Sequence, residues 1–381
     1  MPNDLKIKAL LTWLASGAPP QTNYDETIAE FSRRLKSAGV EADVLALYQT
    51  PKNPLVGGRR FLWYPEKGLK VKEFSHEHMQ STFFLGGVVN LAQELAKPIR
   101  YRVGMSAEFD AHPGSKPLIE GGYTEYALLP LIAINEVNSV LAVGVKRQGG
   151  LPDEQFEICR RVAAPLARVV ESRVLLEGFS SLLATFLGRD AGSRVASGMV
   201  RRGDADMIRA VILFTDIVGF TEKSNSLKTS EIVSMLNRYF EALEQPILKN
   251  GGEVLKLMGD GMLAIFPTPD DLTSEEGAAL SALSAVEDAR VVLAEDQVSF
   301  RAAFHVGEVH YGNIGGLTRL DFTAIGPAVN IASRLSDAAS KEGMSAACSE
   351  AFARLVPDRA SRIGALVFKG FKDLQQVFSI G

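Results

Sequence analysis

The sequence predicts an α+β chain of two sheet-and-helix units joined by a helical segment. Short apolar strands alternate with amphipathic helices in both halves, residues 153–187 switch to helical spacing, and 381 residues leave room for two or three domains. Hydrophobic residues make up 46% and charged residues 23% of the chain, which supports buried cores and excludes global disorder.

The first 150 residues read as one α/β unit. TNYDETIAEFSRRLKSAG predicts a helix with Ile28, Phe31 and Leu35 on one stripe, stopped near Gly39. VEADVLALYQ, RRFLWYP and LKVKEF follow as strands, then PIRYRVG and YTEYALLPLIAI before VLAVGV. The apolar span 127–145 is interrupted by Pro130, Asn135, Glu136 and Asn138, so it predicts two strands turning at INEVN rather than a membrane helix. By pattern this unit, residues 1–152, is analogous to GAF or PAS sensor folds, and such an analogy names no ligand. His76, His78 and His112 could form a metal or haem site by spacing, but no cysteine or carboxylate cluster completes one, and surface histidines are the expectation. Phe61, Trp63 and Tyr64 read as a buried aromatic strand ahead of a cofactor pocket.

Residues 153–206 read as a helical coupling and dimerisation segment. Phe156, Ala163, Leu166, Val170 and Val174 recur at helical spacing, which suits either a dimer seam or a helix covering its own core. Residues 188–206 are polar and glycine-containing and predict a connector with short helical content, not a core element.

A further domain, 207–381, opens with the strand AVILFTDIVGF. The helix over 229–249 is expected to be capped by Thr229 or Ser230, ended by Gly251–Gly252, and to bury Val233, Leu236, Phe240 and Leu243. GEVLKLMGDGMLAIFP predicts a β-hairpin. A helix over 274–296, the strand VSFRAAFHVGEVHYGNIG and a helix started by Pro327 complete the domain.

Asp216 ends the first of these strands and Asp260 sits in the turn GDG. If the strands are neighbours, both carboxylates reach one end of the sheet, where they could hold one or two Mg²⁺ or Mn²⁺ ions; each alone is more simply a turn aspartate. The amides of Ile217, Val218, Gly219, Phe220 and Thr221, in the turn before the 229–249 helix, are candidates for phosphate oxygens. No GxxxxGK[ST] loop is present. Asn330 and Arg334, four apart, share one helix face. Arg334 offers a fork for phosphate, and Asn330 can orient a ribose or ring oxygen; their bland roles are a surface ion pair and a turn bond.

FTDIVGFT, LKLMGDG, FHVGEVHYGNIG and DFTAIGPAVNIASRL together resemble the successive motifs of the class III nucleotidyl cyclases, over roughly 207–381. The resemblance implies a ferredoxin-like βαββαβ catalytic domain that works as an antiparallel dimer and converts a nucleoside triphosphate to its 3′,5′-cyclic monophosphate and pyrophosphate. It implies that Asp216 and Asp260, with Ile217, bind the metal, two Mg²⁺ or Mn²⁺ ions per active site. Lys256 and Thr323 resemble the base-recognition pair; Asn330 and Arg334 resemble the ribose-orienting and transition-state-stabilising pair, contributed by the second subunit. A homodimer would then have two composite sites. Pro327–Ala328 stands where many members have Asp–Thr. GGYTEYALLPL and LLATFLGRDAGSRVASGMVRRGD resemble regions preceding some bacterial cyclase domains, which implies regulation by an unspecified ligand or protein.

Lys256 can donate to adenine N1, whereas guanine N1 carries a hydrogen, so ATP is the expected substrate and adenylate cyclase the expected activity. Guanylate cyclase and a catalytically silent nucleotide-binding module are the alternatives. A diguanylate cyclase is disfavoured because MGDGM stands in place of GG[DE]EF. The net charge of −4 gives no support to nucleic-acid binding. The two cysteines form no spaced framework, and no convincing signal peptide or membrane segment is read, so a cytoplasmic location is expected.

Overall fold

The computed structural model describes residues 2–19, 23–133, 136–268, 272–371 and 373–381. They divide into two compact units, residues 1–182 and 183–381.

The first unit opens with helices α1 (Pro2–Ala15) and α2 (Tyr24–Ser37). Asn23 starts α2 by accepting the Glu26 amide at 2.8 Å, and the chain leaves it through Gly39 at φ 101°. Ile28, Phe31 and Leu35 are buried, as their spacing predicts. Strands β1 (Val44–Gln49), β2 (Gly58–Tyr64), β3 (Gly68–Phe74), β4 (Ile99–Arg102), β5 (Glu125–Ala133) and β6 (Glu136–Val145) form an antiparallel sheet in the order β3-β2-β1-β6-β5-β4. Helices α3 (His76–Met79), α4 (Val88–Leu95), α5 (Ala107–Asp110) and α6 (Lys116–Glu120) lie between β3 and β5 in sequence, and α7 (Asp153–Leu187) follows β6.

Period-two alternation divides the side chains between the faces of this sheet. Leu45, Leu47, Phe61 and Trp63 pack with residues of α1, α2 and α7; Val44, Ala46, Leu62 and Tyr64 pack on the opposite face with Val88 and Ala92 of α4. The 127–145 run is a strand pair, as expected, although residues 134–135 of the INEVN turn lie outside the described residues. Pro130 fits within β5 because β4 pairs only as far as Leu128, so the missing N–H falls beyond that ladder.

The second unit contains α8 (Arg189–Ala196), β7 (Ala205–Ile217), α9 (Phe220–Ser226), α10 (Thr229–Lys249), β8 (Glu253–Met258), β9 (Gly261–Thr268), α11 (Leu272–Glu295), β10 (Phe300–Gly315), β11 (Leu320–Ile325), α12 (Pro327–Lys341), β12 (Ala346–Ser349), α13 (Glu350–Ala353), β13 (Ala360–Leu366) and β14 (Gln375–Ile380). The sheet runs β13-β14-β12-β10-β7-β9-β8, with β11 paired to β10. Its centre, β10-β7-β9-β8, is built in the chain order β7-α10-β8-β9-α11-β10, the βαββαβ arrangement expected from the sequence. Helices α10 and α11 pack through Tyr239, Leu243, Ile247 and Val286 onto Val211, Leu213 and Phe266; α12 covers the other face through Ala328 and Ala332 against Ile212 and Tyr311. A Cβ at Gly307 would come within 2.7 Å of the Ala328 Cβ, so glycine there lets α12 lie close on β10.

Three sequence expectations are corrected. Residues 188–206 are not merely a connector, because Ala191 of α8 is fully buried in the second unit's core. Neither Thr229 nor Ser230 caps α10: the cap position is Lys228, just before the helix, whose amide donates to the Glu231 carboxylate at 2.8 Å. Val233 is exposed, since the buried face of α10 is carried by Tyr239, Ala242, Leu243 and Ile247.

Candidate active site

Strand pairing brings the two aspartates together. Asp216 on β7 lies opposite Gly261 on β9, immediately after Asp260, and opposite Arg301 on its other side. The turn carrying Asp260 is tight because Gly259 takes φ 65°. A single residue shift would point Thr215 this way instead; Thr215 is buried in the core and accepts the Tyr239 hydroxyl at 2.8 Å.

Asp216 already has partners. Ser336 Oγ donates to its Oδ1 at 3.2 Å, and Arg301 Nη1 lies 3.4 Å from its Oδ2. Burial raises the carboxyl above its ordinary value; Ser336 and Arg301 pull it down, while Asp260 adds to the rise. Two adjacent hard-oxygen donors beside an open glycine turn fit Mg²⁺ or Mn²⁺, whose remaining positions water and phosphate commonly fill. No larger cluster of His, Cys, Asp and Glu suited to a metal occurs among the described residues. Sequence reasoning missed Arg301 and Ser336. A lone arginine near the start of a buried strand was the available signal for the first; nothing local marked the second.

Helix α12 places Asn330 and Arg334 away from that pair. At about 100° of rotation per residue, Asn330 and Arg334 differ by only about 40°, whereas Arg334 and Ser336 differ by about 200°. Because Ser336 faces Asp216 of its own chain, the Asn330–Arg334 face is turned from it. Asn330 is exposed, and Arg334 pairs with Asp337 at 2.9 Å.

Lys256 on β8 is ion-paired with Asp321 on β11, a partner the sequence analysis did not name. Asp321 and Thr323 are two apart on one strand and so share a face. Thr323 is buried opposite Gly312, while Lys256 and Asp321 are both partly exposed.

The 217–221 segment differs from expectation. It leads into the separate helix α9, not directly into the 229–249 helix. The Val218 amide donates to the Ser299 carbonyl at 2.9 Å, so it is already engaged and is withdrawn from the phosphate-binding set. Ile217 closes β7, Gly219 turns the chain at φ 69°, and Phe220 and Thr221 open α9.

On its other flank the sheet holds α8. Glu253 of β8 accepts the Asp190 amide at 3.0 Å, and Asn313 Nδ2 donates to the Met199 carbonyl at 2.7 Å. In the first unit the histidines do other work: His76 Nε2 lies 2.9 Å from the Asn53 carbonyl, and His112 links the Leu85 carbonyl to the Gly114 amide. Phe61 and Trp63 are core residues, whereas Tyr64 lines a cavity. No helix among the described residues is long and apolar enough to cross a membrane.

Residues 205–359 match the family described as the adenylate and guanylate cyclase catalytic domain. An uncharacterized protein of Mycobacterium tuberculosis is 33% identical over 174 residues, covering 45% of this chain and 30% of that protein; another from the same organism is 34% identical over 158 residues, covering 40% and 29%. The chain thus spans about three tenths of the length of these relatives. Among solved structures, an adenylyl cyclase from P. aeruginosa is 27% identical with a TM-score of 0.41, covering 46% of this chain and 95% of that one. A guanylyl cyclase is 26% identical with a TM-score of 0.40, covering 46% and 93%. Residues 205–359 therefore constitute a class III nucleotidyl-cyclase catalytic domain, homologous to the adenylyl and guanylyl cyclases.

Proposed function

We propose that this chain is an adenylate cyclase that forms 3′,5′-cyclic AMP and pyrophosphate from ATP at sites shared by two copies. The convergence of Asp216 and Asp260 at one strand end, within a cyclase-homologous domain, carries the proposal. Asp216 and Asp260, with the Ile217 carbonyl, would hold two Mg²⁺ or Mn²⁺ ions. Such ions, when bound, supply Lewis-acid polarisation of phosphate and a more acidic ribose 3′-hydroxyl.

The chain's own groups do the positioning. Ser336 and Arg301 orient Asp216. Gly219, Phe220 and Thr221 offer backbone donors on the phosphate side. Asn330 from the second copy fixes the ribose so that O3′ faces the α-phosphorus in line with the leaving pyrophosphate. Arg334 of that copy donates to α-phosphate oxygens as negative charge grows there. The opposed faces of α12 favour this division, because the groups meeting Asp216 in its own chain exclude Arg334.

A seam for the second copy is offered by α7, where Leu175, Phe179, Leu182 and Phe186 are exposed at alternating spacings of four and three residues. We assign residues 1–152 a sensor-type regulatory role, 153–206 coupling, and 207–381 catalysis. The bonds from Glu253 and Asn313 to the 188–206 stretch support coupling, since they tie it to catalytic strands.

For the base, Lys256 donates to adenine N1, while Thr323 or Asp321 accepts from the 6-amino group. The Lys256–Asp321 pair also favours a second reading. Its donor and acceptor could meet guanine O6 and N1–H. Purified full-length protein given equal ATP and GTP, with Mg²⁺ or Mn²⁺, decides between them by product identification. Predominant cyclic AMP supports the proposal, predominant cyclic GMP transfers it to guanylate cyclase, and no cyclic product under either metal refutes it.

A further inference from the structure

The first unit contains a cavity of about 180 Å³ on the β1–β2 face that also carries Leu62 and Tyr64. Its wall is mainly apolar and aromatic, with Val44, Leu62, Phe74, Phe84 and Tyr126 among the lining residues, and it contains no aspartate or glutamate. Within this lining stands Arg60. Its Nε is buried and has no hydrogen-bond partner, and no carboxylate pairs with it among the described residues. Its neighbour Arg59 also borders the cavity, but its guanidinium is ion-paired with both Glu73 and Glu177. The contrast is informative: the chain neutralises one of two consecutive arginines twice over and leaves the other uncompensated.

A second observation has the same sign. Arg60 lies directly across from Lys72 on β3, and both cations approach the Phe74 ring, at 5.6 and 5.2 Å. Like charges directly opposite across a sheet are unfavourable, and a buried guanidinium donor without an acceptor is costly. A bound anion would relieve both. The aromatic walls continue beyond Phe74, since His78 stacks on it at 4.7 Å and Phe83 lies 5.6 Å from His78. At the base, the Tyr48 and Tyr126 hydroxyls meet at 3.0 Å. Flat apolar surfaces around one guanidinium suit a planar body bearing one acidic group.

We infer that this cavity binds a small organic acid, with Arg60 pairing with its carboxylate and an aromatic or alicyclic body lying against Phe74, Leu62 and Tyr126. The inference concerns binding in the first unit and does not depend on the cyclase assignment. Isothermal titration of the full-length chain with 2-naphthoate and with the neutral 2-naphthamide tests it. The acid is expected to bind about tenfold or more tightly than the amide, the advantage of one desolvated charge-assisted pair. Arg60→Gln should abolish the difference while leaving amide binding unchanged, and its circular dichroism melt should show that the fold persists. The wild-type comparison of acid and amide stands without the variant. Absence of saturable naphthoate binding to the wild type at millimolar concentration overturns the inference. So does equal affinity for acid and amide, or an acid preference that survives Arg60→Gln. Turnover is not measured, so failure here leaves the cyclase proposal standing, and an inactive enzyme leaves the binding result standing.

Discussion

The proposed function gives each chain one acidic half-site and one Asn330–Arg334 half-site, which makes mixing two defective variants a sharp experiment. Asp216→Ala removes a carboxylate proposed to bind metal, and Arg334→Ala removes the cation proposed to meet the α-phosphate. Either homodimer has every site damaged; by the usual worth of such donors, activity should fall about 10²- to 10³-fold. Co-expression of the two variants with different tags gives mixed dimers as about half of the population. In a mixed dimer one site draws Asp216 from the Arg334→Ala chain and Arg334 from the Asp216→Ala chain, so it is intact, while its twin lacks both. The co-expressed preparation should therefore recover about one quarter of wild-type cyclic nucleotide production. Mixed dimers isolated through both tags should reach about one half. If tandem purification demonstrates mixed dimers but they remain as inactive as the parents, the shared-site proposal is wrong. Near-normal turnover in either single variant would remove that residue from the site.

Four further outcomes are expected. Ser336→Ala should lower kcat/KM about fivefold, the worth of about 1 kcal/mol of lost hydrogen bonding at Asp216, with an unchanged melting temperature checked by circular dichroism. Leu175→Asp with Phe179→Asp should shift the chain toward monomer in sedimentation and reduce turnover in parallel, because both side chains are exposed on the proposed seam. Lys256→Glu should reduce use of ATP about tenfold or more relative to GTP in a competition assay, since the donor proposed to meet adenine N1 becomes an acceptor. His305 is buried against Ser349, and burial, aided by Arg209, pushes its pKa from 6.5 down to about 4. The unfolded chain then binds the extra proton first, so this residue's stabilising contribution is complete above about pH 6.5 and is lost as pH falls toward about 4, a change of about 3 kcal/mol. Urea unfolding of His305→Gln should show a shallower loss across that window.

Much of the catalytic fold was legible because it is written in local patterns. The apolar run AVILF leading to Asp216, the glycines around Asp260 and the spacing of Asn330 and Arg334 each constrain a short stretch of backbone. What escaped depends on register between distant strands. Arg301 meets Asp216 across an antiparallel pair 85 residues apart, and Ser336 reaches it from 120 residues away. Asp321 meets Lys256 over 65 residues. The occupied Val218 amide was equally invisible, because its acceptor belongs to Ser299 near the start of another strand. In 188–206 the polar composition concealed the buried Ala191 and Gly192, which, with Val195 and Met199 packed beside Ala191, fasten α8 to the core.

The orientation of α12 gives a physical reason for an enzyme of this kind to depend on a second copy. One helix face must pack on β10, and Ala328, Ala332 and Leu335 occupy it. The Ser336 edge supports the chain's own Asp216, while Asn330 and Arg334 remain on a face turned away from Asp216. To use Arg334 on its own Asp216, the helix would have to rotate by about half a turn and surrender its apolar face to solvent. In the proposed dimer a second copy supplies the missing cation without that loss. Activity would then be set by how two complete folds meet rather than by unfolding or rebuilding either one. On the proposed function, the point of control would lie at the helical seam and at the α8 attachment, away from the reacting atoms.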